Sequence, residues 1–157
     1  RSIRKNYDVS KGLLPMPKYK YKQKLKEYIA RHGKPDALTE YFILQGFSED
    51  EIKEGLEPYI EEWEEAIYWI GRDDGSEYDW DLWKRSSLYE VLRHATTEQI
   101  EPYRERIEKA DEKFRSMTYE VKDSYGDLLD KNETINRDMH WWLFRIPIHG
   151  QVWRVCR

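Results

Sequence analysis

The chain has 157 residues, with 39% hydrophobic, 15% aromatic and 37% charged side chains and a formal net charge of −4. This length suits one domain with its own core, and seven Trp, twelve Tyr and four Phe supply the apolar bulk that disordered chains lack. No apolar run approaches the roughly 18 residues of a membrane-spanning helix, so we predict a folded protein without a membrane partner.

The cysteine content bears on the cellular compartment. The single cysteine, Cys156, cannot form a disulfide within the chain, which is typical of proteins in reducing compartments. The sequence also contains no signal-peptide core. We therefore predict a cytoplasmic protein.

Charge is distributed unevenly along the sequence. Residues 1–34 carry eleven Lys or Arg and two acids, a net of +9, whereas residues 49–81 carry fourteen acids and two bases, a net of −12. Two such regions can neutralise each other within the chain, or one of them can face a partner. The sequence leaves both alternatives open.

The basic region begins with an arm and continues into a helix. Residues 1–17 contain Gly and Pro and no apolar period, which indicates an extended arm ahead of a helical domain over residues 18–157. Apolar residues then recur at helical spacing from Tyr21 as far as Gly33, although the alternation of Lys and Tyr over residues 18–22 would also fit a strand. We favour the helix because the lysine stems can then cover its apolar stripe.

Two capping patterns predict the next helices. Asp36 can cap a short helix over residues 37–45. Ser48 and Glu51 have the spacing of a capping box, in which each side chain accepts a hydrogen bond from the other residue's backbone amide. This pattern predicts the start of a helix over residues 49–70.

Two features complicate the helix over residues 49–70. Gly55 and Pro58 lie inside its pattern, so we expect a kink or a break there. Its outer face is crowded with carboxylates, and each pair at four-residue spacing destabilises the helix by about 0.2–0.5 kcal/mol. We expect a cation of the same chain or of a partner to compensate this repulsion. The glutamates that we predict to bind a partner are Glu54, Glu57, Glu61, Glu64 and Glu65.

Two further helices are predicted in the second half of the chain. The first ends near Ala95, and the capping-box pattern of Thr96 and Gln99 then starts a long helix with a coiled-coil period. Antiparallel packing on the helix over residues 49–70 would bury its seam within a monomer, whereas self-pairing through residues 100–121 would give a homodimer. The seam consists of Ile100, Tyr103, Ile107, Ala110, Phe114, Met117 and Val121.

The C-terminal stretch over residues 138–157 admits two interpretations. As a helix, it would present one apolar face until Pro147 ends it. As a hairpin that turns at residues 149–150, it would place Arg145 directly opposite Arg154. We favour the helix with an extended tail, so the predicted fold is an all-α, single-domain bundle of about five or six helices, with a short β-hairpin as the alternative to the C-terminal tail.

The same stretch concentrates tryptophan and arginine, which are the residue types of interface hot spots. The alternative role of these tryptophans is to complete the core. The four residues that we predict to bind a partner are Trp142, Arg145, Trp153 and Arg154.

No catalytic or metal-binding constellation is evident in the sequence. Asp138, His140, His149 and Cys156 form the only plausible cluster of ligands, and their spacing matches no metal-binding pattern. Cys156 and His149 lie too close to a chain end to hold the geometry of a nucleophile and its base. There is also no Gly-rich phosphate loop. We therefore favour a non-enzymatic protein and predict no metal and no cofactor.

These observations favour a protein-interaction or regulatory module that binds a macromolecular partner, in the first instance a protein, through a charged helical face. The alternative is a nucleic-acid-binding protein, since lysines interleaved with tyrosines can contact phosphates and stack on bases. The residues predicted for that alternative are Arg4, Lys5, Lys18, Lys20, Lys22 and Lys24.

Overall fold

The computed structural model describes residues 18–72 and 75–148, and most of them are helical. Two short strands, β1 (Thr118–Glu120) and β2 (Arg145–Pro147), form an antiparallel sheet. The helices are α1 (Lys18–His32), α2 (Ala37–Leu44), α3 (Glu49–Glu54), α4 (Glu57–Trp69), α5 (Tyr78–His94), α6 (Thr97–Ile100) and α7 (Arg104–Ser116). The prediction of a helical fold with a short β element near the C-terminus is confirmed.

The described residues form two compact units. The first contains residues 18–55 and 94–96, and thus α1, α2 and α3. The second contains residues 56–93 and 97–148, and thus the later helices and both strands. The arm predicted over residues 1–17 lies outside the described residues.

In the first unit, local capping fixes the helix starts as predicted. The Asp36 carboxylate accepts a hydrogen bond from the Thr39 amide at 2.7 Å. Ser48 and Glu51 form the capping box, in which each side chain accepts a hydrogen bond from the other's amide, at 3.2 and 3.1 Å. These side chains satisfy amides that have no acceptor within the helix, so the starts of α2 and α3 follow from the sequence alone.

The turn after α2 depends on Gly46. Its φ is +87°, and a Cβ added there would lie 2.6 Å from the ring of Tyr21. We expect Gly46→Ala to lower the free energy of unfolding by about 2–3 kcal/mol, because it combines left-handed backbone strain with a displaced ring. Urea denaturation followed by circular dichroism measures the loss. As a matched control, Gly33 has a φ of +83° with nothing within 4 Å of an added Cβ, so Gly33→Ala should cost only the strain. Equal losses would contradict a role for the Tyr21 contact.

The predicted interruption between residues 49 and 70 is a complete break. Gly55 follows α3 with a φ of +62°, and α4 begins at Glu57. Pro58 then occupies the first turn of α4, where a missing N–H removes no intrahelical hydrogen bond. The two residues that we expected to bend one helix therefore end one helix and start another.

The long helix predicted over residues 100–121 is divided in the structure. Pro102 lies in a 3₁₀ turn between α6 and α7 because it has no N–H to continue the helical hydrogen bonds. After α7 ends, the Thr118 hydroxyl donates to the Phe114 carbonyl at 2.8 Å and the chain enters β1. Val121, predicted as the last seam residue, therefore follows the strand.

The central part of the seam is buried within the chain. Ile107 and Phe114 are 8% and 0% exposed, and the Phe114 ring lies 5.1 Å from that of Trp63 on α4. Glu57 near the start of α4 contacts Arg106 near the start of α7, and Trp63 further along α4 contacts Phe114 further along α7. The two helices therefore run parallel, and the expected antiparallel packing does not occur. These seam side chains already pack within the chain, so a homodimer is not needed to bury them.

The C-terminal helix that we favoured is wrong. The chain forms a 3₁₀ turn at Trp141–Phe144 and then β2, which pairs with β1 and not with a later strand. Arg145 therefore lies opposite Glu120, an oppositely charged residue, and Arg154 lies outside the described residues. Pairing with β1 satisfies backbone groups of β2 through a segment 27 residues earlier, which the local apolar pattern does not include.

Candidate functional site

We define the acidic face of α4 as Glu57, Glu61, Glu64 and Glu65. Arg106 of α7 lies against it: Nη1 donates to both carboxylate oxygens of Glu57 at 2.8 Å, and Nη2 donates to Oε1 of Glu64 at 2.6 Å. The hydrogen bonds to Glu64 and Glu57 raise the pKa of Arg106, and the hydrogen bond from Arg106 lowers the pKa of Glu57. One guanidinium thus holds two carboxylates that lie two turns apart.

The other two carboxylates of the acidic face have no such cation. Glu61 is exposed, and its hydrogen bond to Glu57, together with the negative charges of Glu57 and Glu64, holds the pKa of Glu61 above its ordinary value. Glu65 forms no ion pair with any residue that the structure describes. Together, the four carboxylates of the acidic face and the guanidinium of Arg106 carry a formal charge of −3.

A shallow cavity of about 240 Å³ between α4 and α7 bounds the acidic face on one side. Its apolar lining consists of two buried side chains, and cations predominate in its charged lining. The lining residues are Ile67, Ala110, Glu64, Arg106, Lys109 and Lys113. The charge therefore changes from negative around Glu61 to positive at Lys109 and Lys113 in the lining of this cavity.

Glu54 does not belong to the acidic face of α4. It is the last residue of α3, in the first unit, and its side chain is exposed. It forms no ion pair with a described residue. The continuous row of glutamates predicted from residue 54 to residue 65 is thus divided between two helices at the break after Glu54.

The structure places Trp142 and Arg145 among the residues that hold the second unit together. Trp142 is 1% exposed, and its Nε1 donates to the Ser86 hydroxyl at 2.9 Å. Arg145 donates to the Thr118 hydroxyl at 2.8 Å and pairs with Glu120 across the strands at 3.5 Å. The alternative role of completing the core therefore applies to Trp142, and Arg145 joins β2 to β1. Trp153 and Arg154 lie outside the described residues.

A buried ion pair between Arg85 and Asp111 lies beside Trp142, and no local pattern in the sequence indicates it. Arg85 lies 4.7 Å from the centre of the Trp142 ring and donates two hydrogen bonds to Asp111, at 2.9 and 3.0 Å. Trp63 Nε1 donates to the same carboxylate at 3.0 Å. Since Asp111 has three donors, this carboxylate is satisfied inside the core.

A second polar cluster forms around Glu133, which lies between β1 and the 3₁₀ turn at Trp141–Phe144. The Glu133 carboxylate accepts hydrogen bonds from the Tyr89 hydroxyl at 2.7 Å and from Arg93 at 2.6 Å. It also forms a hydrogen bond with Nε2 of His140. His140 is 1% exposed, and its Nδ1 accepts from the Asn136 amide at 2.8 Å. Both ring nitrogens are therefore engaged, which leaves the imidazole no lone pair for general base catalysis.

The hydroxyl of Tyr89 is equally unsuited to proton transfer near neutral pH. Burial and the hydrogen bond to Glu133 raise the pKa of Tyr89 to about 12. The phenol therefore stays protonated and acts as a hydrogen-bond donor. The hydrogen bonds of Glu133 join residues 133–140 to α5, so the role of this cluster is structural.

The lysines of the predicted nucleic-acid site fall on α1 where the structure describes them. Lys18 and Lys20 lie in its first turn, and the side chains of Lys22 and Lys24 are exposed. Lys24 Nζ lies 5.8 Å from the centre of the Tyr21 ring. Arg4 and Lys5 lie outside the described residues.

Among residues 18–72 and 75–148, no group of three or more His, Cys, Asp or Glu side chains is placed to hold a metal ion. Two of the four ligand candidates, His149 and Cys156, lie outside these ranges. In the same part of the chain, no helix has both the length and the apolar character that crossing a bilayer requires. Comparison of the chain with protein-family models, with curated proteins and with solved structures found no match.

Proposed function

We propose that the chain is a non-enzymatic protein-interaction module that binds a basic protein surface through the acidic face of α4. The observation that carries this proposal is the sharing of Arg106 between Glu57 and Glu64, which leaves Glu61 and Glu65 on the same helix without an ion pair to a described residue. Crowded carboxylates on one helix repel one another, and a partner's lysine or arginine would relieve that repulsion.

The internal ion pairs divide the acidic face into two sets of carboxylates. Arg106 holds Glu57 and Glu64 at 2.6–2.8 Å, so these two carboxylates already have a cation within the chain. Glu61 and Glu65 are then the residues that contact the partner directly. Their negative field would also speed the encounter with a cationic surface at low ionic strength.

The test compares two double variants that carry the same change of charge. Glu61→Lys with Glu65→Lys reverses the uncompensated pair, and Glu108→Lys with Glu112→Lys reverses an exposed pair of the same spacing on α7. Binding of a fluorescent oligolysine peptide should weaken by at least about tenfold in the first variant and by less than about threefold in the second. Both variants should keep the wild-type melting temperature, because all four side chains lie near the surface.

Capture from extracts of the source cells extends this test to the natural partner. A protein that binds the wild type and the Glu108/Glu112 variant, but not the Glu61/Glu65 variant, would support the proposal. Equal weakening in both variants would show that only net charge matters. A melting temperature lowered in the Glu61/Glu65 variant alone would show that those two carboxylates are needed by the fold. Either result would overturn the proposal.

A further inference from the structure

Helix α1 carries a charged surface that the acidic face of α4 does not explain. It contains no acidic residue in its first turn, although its first five residues include three lysines. Cations near a helix N-terminus oppose the helix dipole, so the stability of α1 itself does not account for them. Lys22, Lys24 and Lys26 continue the basic character along the helix with exposed side chains.

These three lysines form no ion pair with any residue that the structure describes. The ion pairs of α1 with described residues lie at its C-terminal end, where Arg31 and His32 approach Glu49 at 3.1 and 3.6 Å. The uncompensated cations are therefore concentrated in residues 22–26.

The position of the lysines around the helix leaves them accessible. Successive residues of a helix differ by about 100°, so Lys22 and Lys26 lie along one flank and Lys24 along the other. The apolar stripe between the flanks packs within the first unit: Tyr21 lies against Gly46, and Leu25 is half-buried. Cationic side chains therefore border the stripe on both sides and point to solvent.

This arrangement identifies the chemistry of the partner. The apolar stripe of α1 already packs in the fold, so α1 has no free apolar face to insert among lipid headgroups, and three lysines alone attract an anionic bilayer by only about 1 kcal/mol each. What remains is a surface on which three exposed lysines outnumber Glu27, the acidic residue of α1, and such a surface attracts extended negative charge. The phosphate backbone of a nucleic acid has this property, and lysines bind it by releasing condensed counterions.

We propose that Lys22, Lys24 and Lys26 on α1 bind the phosphate backbone of a nucleic acid. This contact recognises the charge of the backbone and is independent of base sequence, because lysine contacts to phosphates carry no sequence information. This surface does not depend on the acidic face of α4, so either proposal can fail without the other.

The experiment uses the full chain and labelled oligonucleotides of about 20 nucleotides, single-stranded and duplex, at several salt concentrations. The triple variant Lys22→Gln, Lys24→Gln, Lys26→Gln should bind at least about tenfold more weakly than the wild type near 50 mM salt. The slope of log K against log salt should become shallower by about 2–3, since three phosphate contacts are lost. Whichever oligonucleotide binds more tightly identifies the preferred form of the backbone.

The matched control neutralises three exposed lysines elsewhere, Lys109→Gln, Lys113→Gln and Lys122→Gln. It should lose less than about threefold in affinity and keep the wild-type slope. Equal losses in both triple variants would overturn the proposal. So would binding to phosphatidylserine vesicles, or to polyglutamate, that is tighter than binding to either oligonucleotide. Circular dichroism confirms that each variant keeps its helix content, since Gln and Lys have similar helix propensity.

Discussion

Replacing Asp111 with alanine should lower the free energy of unfolding by about 3–5 kcal/mol, the largest effect that we expect from any single substitution. The carboxylate accepts two hydrogen bonds from Arg85 and one from Trp63, and the Arg85 side chain is 8% exposed. Without Asp111, a buried guanidinium loses its counterion and the Trp63 indole loses its acceptor. Urea denaturation followed by tryptophan fluorescence and by circular dichroism measures the loss.

Two control variants separate this effect from a general weakening of α7. Glu112→Ala removes an exposed carboxylate at the next position and should change stability by less than about 0.5 kcal/mol. The double variant Asp111→Leu with Arg85→Met removes both charges and should be more stable than Asp111→Ala, because no buried charge is left unpaired. A loss below about 1 kcal/mol in Asp111→Ala would contradict a structural role for the ion pair.

The elements that could be predicted from the sequence are those whose determinants lie within four residues. The Asp36 cap and the Ser48–Glu51 capping box need no information from elsewhere in the chain, and both form as predicted. The break at Gly55 and Pro58 is local for the same reason, since each acts on its own backbone. Periodicity likewise identified the buried apolar positions of α7, which are Ile107, Ala110 and Phe114.

The elements that were mispredicted depend on residues far apart in the sequence. The strand β2 forms because β1 pairs with it, yet residues 135–146 alone have a helical pattern. The core ion pair joins Arg85 to a residue 26 positions later, and Trp63 reaches the same carboxylate across 48 positions. No periodicity within a single helix carries that information.

The acidic face of α4 could be predicted from the sequence only in part. Its crowding is visible in the sequence, and from it follows the expectation that some cation must approach. The identity of that cation is not visible, because Arg106 lies 42 residues after Glu64 and belongs to a helix whose outer side mixes both signs of charge. We therefore propose that Glu61 and Glu65, which Arg106 does not contact, are the partner-binding residues of α4.

The second large effect that we expect is a pH-dependent loss of stability in Glu133→Gln. At pH 7 the substitution should lower the free energy of unfolding by about 2–3 kcal/mol, because hydrogen bonds from Tyr89, Arg93 and His140 would meet a neutral group and not a carboxylate. Burial opposes ionisation of Glu133. The hydrogen bonds from Tyr89 and His140 and the charge of Arg93 outweigh burial, so the pKa of Glu133 lies below its ordinary value of 4.5.

The direction of the pH dependence follows from that lowered pKa. A carboxylate whose pKa is lower in the folded than in the unfolded state stabilises the protein fully above the unfolded value, and it loses this contribution as the pH falls through the folded value. The difference between wild type and Glu133→Gln should therefore be constant from neutral pH down to about 5 and should shrink below about 4.5. Urea denaturation at a series of pH values measures it.

Glu120→Gln supplies the control for this series, because Glu120 also pairs with two arginines but its side chain is 73% exposed. A solvent-exposed ion pair contributes little, so this variant should lose less than about 1 kcal/mol at pH 7. A stability difference for Glu133→Gln that stayed constant down to pH values near 3 would contradict the assignment, because it would come from packing and not from the charge of the carboxylate. A difference that disappeared only as the pH rose would require the opposite sign of the pKa change.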